Sequence, residues 1–319
     1  MSRTTVRARS VTAVALAACC AAVLGAGGPQ GAVLPAAATV RPAQAPQQEQ
    51  EQEQAGNDCD VYQSVPASSE DGPAVKAIKA KRSLVIGVDQ NSFRWGSRNP
   101  NTGQIEGFDI DLARAIGTAV MGDPDKVTLK AVPTAERVKF VQEGRVDLIV
   151  RTMTITCDRL QQVAFSKPYF NTSQRVVVPK ASPARTIDEA VDGKTVCAAT
   201  SSSAEDELKA RPKVGKIVSV ENHLDCLVLM QLGKVDATMT DDGLAASQAA
   251  QDQTVRLVDG EVRPAVMGIA MLKNSPDLTA RVNQVLADYH ASGAWRAAYD
   301  RWLKPYMLSD AEHYWPMQR

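Results

Sequence analysis

The chain has 319 residues, of which 44% are hydrophobic and 23% are charged, and its formal net charge at pH 7 is zero. This length allows one or two domains with a sizeable core, and the composition is that of an ordinary globular protein. Because the chain has no basic bias, we do not expect it to bind nucleic acid.

The N-terminal segment has the pattern of a bacterial export signal, in which arginines precede a run of small apolar residues. Residues 16–19 read "LAAC", the pattern of a lipobox. We therefore expect residues 1–18 to be a signal peptide and Cys19 to carry a lipid. The alternative is an ordinary signal peptide cut after Ala38. Pro29 interrupts the apolar run before about 20 residues accumulate, which argues against a membrane span.

Residues 19–57 are rich in Ala, Pro, Gln and Glu, as in "APQQEQEQEQAG". Such a segment cannot bury enough apolar surface to fold. It is predicted to be a disordered tether between the lipid and the folded part of the chain.

Strands and helices alternate after residue 82. "SLVIGV" predicts a buried strand, and "FDIDLARAIGTAV" predicts an amphipathic helix with Asp109 as its N-cap. "KVTLKAV", a helix ending at Gly144, and the strand "RVDLIV" follow. This alternation predicts a mostly parallel sheet that is covered on both faces.

A second unit of the same kind follows. Residues 140–150, "FVQEGRVDLIV", resemble residues 229–239, "LMQLGKVDATM": a helix end, a glycine, a basic residue, Val-Asp and a strand. The repeat predicts two similar α/β lobes. The aromatic residues of the C-terminal helical segment, Trp295, Tyr299 and Trp302, are expected in the core.

Four cysteines remain after the predicted tether: Cys59, Cys157, Cys197 and Cys226. An even number in an exported chain indicates two disulfide bonds, with buried free thiols as the alternative. Three pairings are possible, and we favour Cys197 with Cys226 and Cys59 with Cys157, since the former bond would close one lobe on itself. No spacing typical of a metal site is present, and neither a metal nor a cofactor is expected.

The stretch "RTMTITCDRL", residues 151–160, follows a strand with hydroxyl groups and a permanent cation. A guanidinium matches a carboxylate at two points, so Arg159 is a candidate carboxylate ligand. Thr152 and Thr154 alternate and can point the same way. The alternative is that Arg159 pairs with a local acid at the surface.

Two further groups complete the candidate site. "TSSSAEDEL" leads into a helix whose start, with Ser202 and Ser203, suits an anion, although Ser203 with Asp206 is also an ordinary capping pattern. Asp241, at the end of the strand in "VDATMTDD", is suited to an ammonium group. Arg159 and Asp241 on different lobes would hold the two charged ends of one zwitterion.

These motifs resemble those of a known family. "GFDIDLARAI", "DLIVRTMTITCDRLQQVAFSKPYF", "DGKTV" and "GKVDATMTDD" resemble the amino-acid-binding proteins of ABC importers, in the polar amino-acid group (family 3), most of all the glutamate- and glutamine-type actinobacterial lipoproteins. The resemblance implies an α/β fold of the two-lobe periplasmic-binding-protein type II, with two strands crossing near residues 175–179 and 260–264. The expected division is lobe 1 at 58–177 and 262–319, and lobe 2 at 178–261.

The resemblance also implies roles for particular residues. Arg159 would bind the ligand α-carboxylate with Thr152, Thr154 and Ser203, and Asp241 would bind the ammonium group. The aromatic platform of the family falls on Phe93.

Two positions depart from the family pattern. Ser201 stands where glycine is frequent, so the backbone there is expected to approach the ligand differently. Arg151 stands where small residues are common, and with Arg94 and Arg98 it would meet a side-chain carboxylate. This favours glutamate or aspartate over glutamine, with the alternative that these arginines face solvent.

The function indicated is extracellular binding of a polar amino acid (glutamate, aspartate or their amides) and its delivery to an ABC permease. The protein is expected to be a monomer anchored to the outer face of the cell membrane. One alternative is a sensor that reports to a membrane signalling partner. Another is a cyclohexadienyl-dehydratase-like enzyme, which is disfavoured because His223, His290 and His313 lie outside the motifs and are expected at the surface or on helices.

Overall fold

The computed structural model describes residues 59–316. The predicted signal peptide, the lipidation site at Cys19 and the predicted tether lie outside the described residues. Within 59–316, no helix has both the length and the apolar composition needed to cross a membrane.

The strands, in chain order, are β1 Leu84–Val88, β2 Asn91–Ser92, β3 Gly96–Arg98, β4 Ile105–Glu106, β5 Val127–Ala131, β6 Leu148–Ile149, β7 Ala164–Phe165, β8 Phe170–Pro179, β9 Thr195–Ala199, β10 Lys216–Val220, β11 Ala237–Asp241, β12 Val255–Leu257, β13 Val262–Met267 and β14 Ala270–Met271. The helices are α1 Pro73–Ala80, α2 Phe108–Met121, α3 Arg137–Gln142, α4 Cys157–Gln162, α5 Ile187–Val191, α6 Ser203–Ala210, α7 His223–Gln231, α8 Asp242–Gln251, α9 Pro276–Ala291, α10 Ala294–Trp302 and α11 Ala311–Tyr314. Short 3-10 helices span Pro124–Lys126 and Thr134–Glu136.

Two mixed sheets organise the described chain. The first has the order β5-β1-β6-β14-β7, and the second has the order β10-β9-β11-β8-β12 with β13 paired to β8. In each sheet three strands are parallel, as the alternation of strands and helices predicted: β1 with β5 and β6, and β9 with β10 and β11. Antiparallel strands extend both, and β2, β3 and β4 form a separate small antiparallel sheet.

The repeated sequence has the same structural role in both sheets. Gly144 and Gly233 follow α3 and α7 with φ of 65° and 64°, the left-handed conformation that glycine adopts without steric cost. The carboxylate of Asp147 accepts a hydrogen bond from the backbone of Val85 at the edge of β1, and that of Asp236 accepts one from Thr195 of β9. The Val-Asp pair of each repeat therefore ties a helix–strand turn to the opening strand of its own sheet.

Two expected helix caps are wrong. Helix α2 begins after Gly107, so Asp109 lies inside its first turn. Helix α6 is capped by Ser202, whose hydroxyl accepts from the backbone of Glu205, rather than by Ser203. Because Ser202 performs the capping, the hydroxyl of Ser203 is available for other contacts.

Strands β8 and β13 connect the two sheets. Residues 170–172 of β8 pair with 265–267 of β13, beside the first sheet, whereas 174–179 pair with β11 and β12 in the second. Residues 175–179, where the sequence suggested the first crossing, thus lie within the second sheet, and β8 passes between the sheets earlier along its length.

The disulfide prediction is confirmed, since Cys59 is bonded to Cys157 and Cys197 to Cys226. The C-terminal aromatic residues are also buried as expected, in the core beneath the first sheet with Trp95 and Phe108.

Candidate functional site

Polar side chains collect where the parallel strands of both sheets end. Asp89 follows β1, the segment from Arg151 follows β6, the serines follow β9, and Asp241 ends β11. Open α/β sheets bind ligands at these carboxyl ends, because the chain there turns away and leaves space and unpaired backbone groups.

Arg159 joins the two sheets at this edge. It lies in the first turn of α4, where its backbone N–H donates to the side chain of the N-cap Thr156. Arg159 is 8% exposed, and its guanidinium donates to the carbonyl oxygen of Thr154 (2.7 Å) and to that of Ser201 (2.9 Å) beyond β9. Burial lowers the pKa of Arg159 and the carboxylate of Asp241 raises it, but an arginine stays charged at any physiological pH.

Ser201 has the backbone conformation expected of a glycine at its position, with φ of 58°. This conformation directs its carbonyl oxygen to Arg159. Ser201 therefore holds a left-handed backbone, the conformation that glycine adopts without steric cost, although it carries a side chain.

Thr154 and Ser203 meet between the sheets, with 3.1 Å between their hydroxyl oxygens. Ser203 also accepts a hydrogen bond from the side-chain amide of Gln174 (3.2 Å). The same amide nitrogen donates to Asp241 Oδ1 at 2.5 Å. A continuous polar network thus links Asp241 to Thr154, whose carbonyl binds Arg159, and it brings the predicted cation and carboxylate into one site.

The carboxyl group of Asp241 is fully enclosed. Burial raises the pKa of Asp241 to about 7, and the negative charge of Asp242 also raises it. The hydrogen bond from Gln174 and the charges of Arg137 and Arg159 lower this pKa. An acid of this kind gains or loses its proton near neutral pH, so its charge responds to whatever binds beside it.

Thr152 has a strained backbone, with φ of 38°, and donates its N–H to Asp109 Oδ2 at 2.8 Å. Asp109 also accepts from the hydroxyl of Tyr169 (2.9 Å), and burial raises its pKa to about 7. The hydroxyl of Thr152 is buried without a hydrogen-bond partner among the described residues. Strain and an unpaired buried hydroxyl are typical of functional positions.

Arg151 is completely buried beside Asp89, at 3.2 Å, and it donates to the hydroxyl of Thr134 (2.9 Å). Its Nε and Nη2 have no hydrogen-bond partner within residues 59–316. Burial acts to raise the pKa of Asp89, but the Arg151 guanidinium and the hydrogen bond from Ser92 hold it below its usual value. Arg151 therefore does not face solvent.

Arg94 and Arg98 are not brought together with Arg151. Arg94 lies 5.0 Å from the ring centre of Phe93 and donates to the hydroxyl of Tyr306. Arg98 donates to the carbonyl of Gly103 and to the side chain of Gln90 near the surface.

Phe93 is half-buried in the turn between β2 and β3. It lines an open groove of about 630 Å³ together with Arg94, Leu224, Gln251 and Trp302. Neither Arg159 nor Asp241 lines this groove, and the role of Phe93 as the aromatic platform stays a prediction.

Three contributors to the site, Gln174, Asp89 and Asp109, and one buried histidine near it, His223, were not found from the sequence. His223 begins α7 and is buried, with Nδ1 at 3.1 Å from the hydroxyl of Thr240. Burial lowers its pKa to about 3, so the imidazole is neutral at physiological pH. The signals available for these residues were positional, since Asp89 and His223 lie at a strand end and a helix start.

The site has the chemistry of a receptor for a small zwitterion: a buried cation, a buried carboxylate and hydroxyl donors between them. In the part of the chain that the structure describes, no group of three or more His, Cys, Asp or Glu side chains is arranged to hold a metal ion.

Comparison with known proteins agrees with this geometry. Residues 84–305 match the family model described as bacterial extracellular solute-binding proteins, family 3. The chain is similar to the ABC transporter glutamine-binding protein GlnH of Bacillus subtilis, with 30% identity over 228 residues, 72% of this chain and 84% of that protein. It is 34% identical over 202 residues to the glutamine-binding protein of Geobacillus stearothermophilus, covering 63% of this chain and 77% of that one.

A solved structure of the solute receptors for L-cysteine of Neisseria gonorrhoeae superposes with a TM-score of 0.71 at 27% identity, covering 76% of this chain and 99% of that chain. The expected two-lobe type II fold is confirmed by this similarity and by the two mixed sheets. Since the family model spans most of the chain, the protein belongs to the bacterial extracellular solute-binding proteins of family 3.

Proposed function

We propose that the protein binds a polar amino acid outside the cell, as a monomer, and delivers it to the permease of an ABC importer. The observation that carries this proposal is the polar network that joins Arg159 to Asp241 through Thr154, Ser203 and Gln174. The names of the relatives support it, since glutamine and L-cysteine are both α-amino acids.

In the proposed complex, the α-carboxylate accepts hydrogen bonds from Arg159, Thr154 and Ser203. The α-ammonium group donates to Asp241. Phe93 packs against the aliphatic part of the ligand from the β2–β3 turn. A guanidinium in a dry site binds a carboxylate through short charge-assisted hydrogen bonds, which are about twice as strong as neutral ones.

The Thr152 hydroxyl and the start of α6 at Ser202 complete the carboxylate end of the proposed site. The Thr152 hydroxyl is buried and lacks a partner among the described residues, and a helix start offers backbone N–H groups to an anion. These roles are secondary to that of Arg159, because neither group carries a full positive charge.

We propose glutamate or aspartate as the ligand, ahead of their amides, because of Arg151. Its buried Nε has no hydrogen-bond partner among the described residues, and its Nη2 has only the ion-pair contact with Asp89. An unmet buried donor costs about 1–3 kcal/mol, which a ligand side-chain oxygen would recover. Asp89 already offsets one charge there, so a carboxylate gains less than it would beside a free arginine, and the amides remain the next candidates.

The proposed cellular setting follows from the N-terminal pattern. Cleavage before Cys19 and lipidation of this residue would anchor the protein to the outer face of the membrane, and residues 19–57 would serve as the tether. A flexible chain of about 40 residues spans roughly 35 Å, enough to hold the two lobes clear of the lipid surface. The lobes would divide as the sequence suggested, except that the first crossing would lie before residue 174 of β8. The protein would bind its ligand without chemical turnover.

The test is calorimetric titration of the full chain with each of the twenty amino acids, repeated on Arg159→Ala. We expect tight binding of an acidic amino acid or its amide, and loss of measurable binding in Arg159→Ala, because the ligand carboxylate would lie unpaired in a closed site. Arg185→Ala is the matched control, since Arg185 is exposed on the second lobe. Full affinity in Arg159→Ala, or tight binding of only histidine or arginine, would overturn the proposal.

A further inference from the structure

Gln174 occupies the centre of the site without having been predicted there. It lies on β8, where it is the register partner of Asp241 on β11 and of Val262 on β13. Its side chain is fully buried, with 0% of its surface exposed. A neutral amide at that depth is stable only when its donors and its acceptor have partners.

The orientation of the carboxamide is fixed by its neighbours. Nε2 donates to Asp241 Oδ1 (2.5 Å) and to the hydroxyl of Ser203 (3.2 Å), so both N–H groups are used. Turning the amide over would place Oε1 against the carboxylate of Asp241, which is unfavourable while that group is ionised.

The carbonyl oxygen of the Gln174 side chain, Oε1, therefore points away from the contacts that Nε2 makes with Asp241 and Ser203. Oε1 is buried, and no described residue donates a hydrogen bond to it. Thr152 Oγ1 and Arg151 Nε are further buried atoms of the same site that lack a hydrogen-bond partner among the described residues. A buried carbonyl oxygen without a donor is rare in folded proteins, so the position of Gln174 Oε1 beside Asp241 indicates that a ligand supplies the donor.

We infer that Gln174 completes the ammonium site, with Oε1 accepting one N–H of the ligand α-ammonium group while Nε2 positions Asp241 for another. This inference rests on the proposed function, because it requires a ligand with an α-ammonium group. An ammonium group has three donors, and one carboxylate seldom satisfies all of them in a dry site. Gln174 supplies the acceptor that Asp241 alone does not.

Gln174 thereby distinguishes an amino acid from the same molecule without its amine. A deaminated analogue would leave Gln174 Oε1 without a donor and Asp241 with only the donor of Gln174 Nε2, whereas its carboxylates would still bind Arg159 and Arg151. Sites that hydrogen-bond a polar substrate group reject the analogue lacking it far more strongly than apolar pockets reject a methylene. The ratio of the two affinities is therefore a property of the ammonium site alone.

The experiment measures the dissociation constants of L-glutamate and of glutarate, its deaminated analogue, by calorimetry and by competition for the full chain and for Gln174→Met. Methionine keeps the length of the side chain and removes the acceptor. We expect the affinity for L-glutamate to fall about 10- to 100-fold, the range for a lost hydrogen bond to a charged group. The affinity for glutarate is expected to change much less, so the preference for the amine falls.

Gln248→Met is the matched control. Gln248 is a second buried glutamine, whose Nε2 donates to the carbonyl of His223 and whose Oε1 lacks a partner among the described residues. It lies on α8, outside the network, and its variant is expected to keep the preference for L-glutamate over glutarate. Gln174→Glu places a carboxyl group against Asp241, and the two groups share one proton, so the pair keeps one negative charge, a donor to Asp241 and an acceptor for the ligand. This variant is expected to keep most of that preference, which provides a readout if Gln174→Met does not fold.

Equal losses of affinity for L-glutamate and glutarate in Gln174→Met would show a merely structural role and overturn the inference. A loss of the preference in Gln174→Glu as large as in Gln174→Met would do the same. If the unmodified chain binds no amino acid, the proposed function itself fails, and this outcome is distinct from binding with an unchanged ratio.

Discussion

The charge of Asp241 is set by burial, which raises its pKa to about 7. Without ligand the carboxyl is protonated below that pH, whereas an ammonium group requires its ionised form. Binding must then release a proton at pH values below about 7. We expect ligand affinity to be level above pH 7 and to fall below it, by up to tenfold per pH unit for one proton.

Titrations between pH 5.5 and 8.5 test this dependence. The charged or titratable groups around Asp241 are Asp242, Arg137, Arg159 and Tyr169, and the two arginines stay charged over this range. Asp241→Asn is expected to bind weakly and to lose the pH dependence. An affinity of the unmodified protein that is level down to pH 5.5 would contradict the assignment of Asp241.

Three site residues that follow or end a strand could be predicted from the sequence, whereas Asp89 at the end of β1 and Gln174 inside β8 could not. Arg159, Thr154 and Asp241 were found because each follows a recognisable strand and carries a charge or hydroxyl. Gln174 lies within β8, and its role depends on β8 pairing with β11, a long-range contact that no local pattern encodes. The sequence predicts Asp109 as the N-cap of α2, because a buried acid in the first turn and a capping acid cannot be distinguished from sequence at the start of a helix.

The Cys59–Cys157 bond fixes the first residue of α4, the helix that carries Arg159. It closes a loop with a sequence separation of 98. By reducing the entropy of the unfolded chain, a bond that closes a loop of this length stabilises the folded state by about 4.7 kcal/mol. The double variant Cys59→Ser/Cys157→Ser is expected to unfold at lower denaturant concentration and to bind ligand several-fold more weakly, because the start of α4 positions the guanidinium.

The other disulfide provides the comparison. Cys197 and Cys226 are separated by 29 residues and join β9 to α7, and the same entropy relation gives about 3.6 kcal/mol. Cys197→Ser/Cys226→Ser should therefore lose comparable stability with a smaller change in affinity. Equal losses of affinity in both double variants would show that Cys59–Cys157 has no special effect on Arg159. Urea unfolding and calorimetry together separate the two effects.

The elements were largely predictable, since parallel strands and amphipathic helices have strong local periodicities. The small sheet of β2, β3 and β4 was not predicted, because its strands are two or three residues long and depend on pairing with each other. The passage of β8 between the sheets was also displaced from the expected position. A continuous strand that pairs with different partners along its length shows no break in sequence where the partner changes.

At the scale of the whole molecule, the contact between Thr154 and Ser203 provides a place to lock the two lobes together. Their hydroxyl oxygens lie 3.1 Å apart on opposite sides of the site. Cysteines at both positions are expected to form a disulfide under oxidising conditions, since the two side chains already meet and the sulfurs need only a further approach of about 1 Å to reach bonding distance. The oxidised Thr154→Cys/Ser203→Cys variant should have a small radius of gyration in X-ray scattering that does not depend on ligand.

The unmodified protein should become more compact when ligand is added, since a ligand stabilises the closed form by its differential affinity for it. Reducing the double variant restores freedom to the lobes and is the internal control. An unmodified protein whose radius of gyration is unchanged by saturating ligand, and equal to that of the oxidised variant, would contradict ligand-driven closure.

The central claim is that Arg159 and Asp241 hold the two charged ends of one amino acid, and a crystal structure of the complex with L-glutamate tests it most directly. We expect the α-carboxylate oxygens at about 2.7–2.9 Å from the Arg159 guanidinium, with the α-ammonium nitrogen within hydrogen-bond distance of Asp241. A ligand bound away from both side chains, or bound with its amine beside Arg159, would contradict the account.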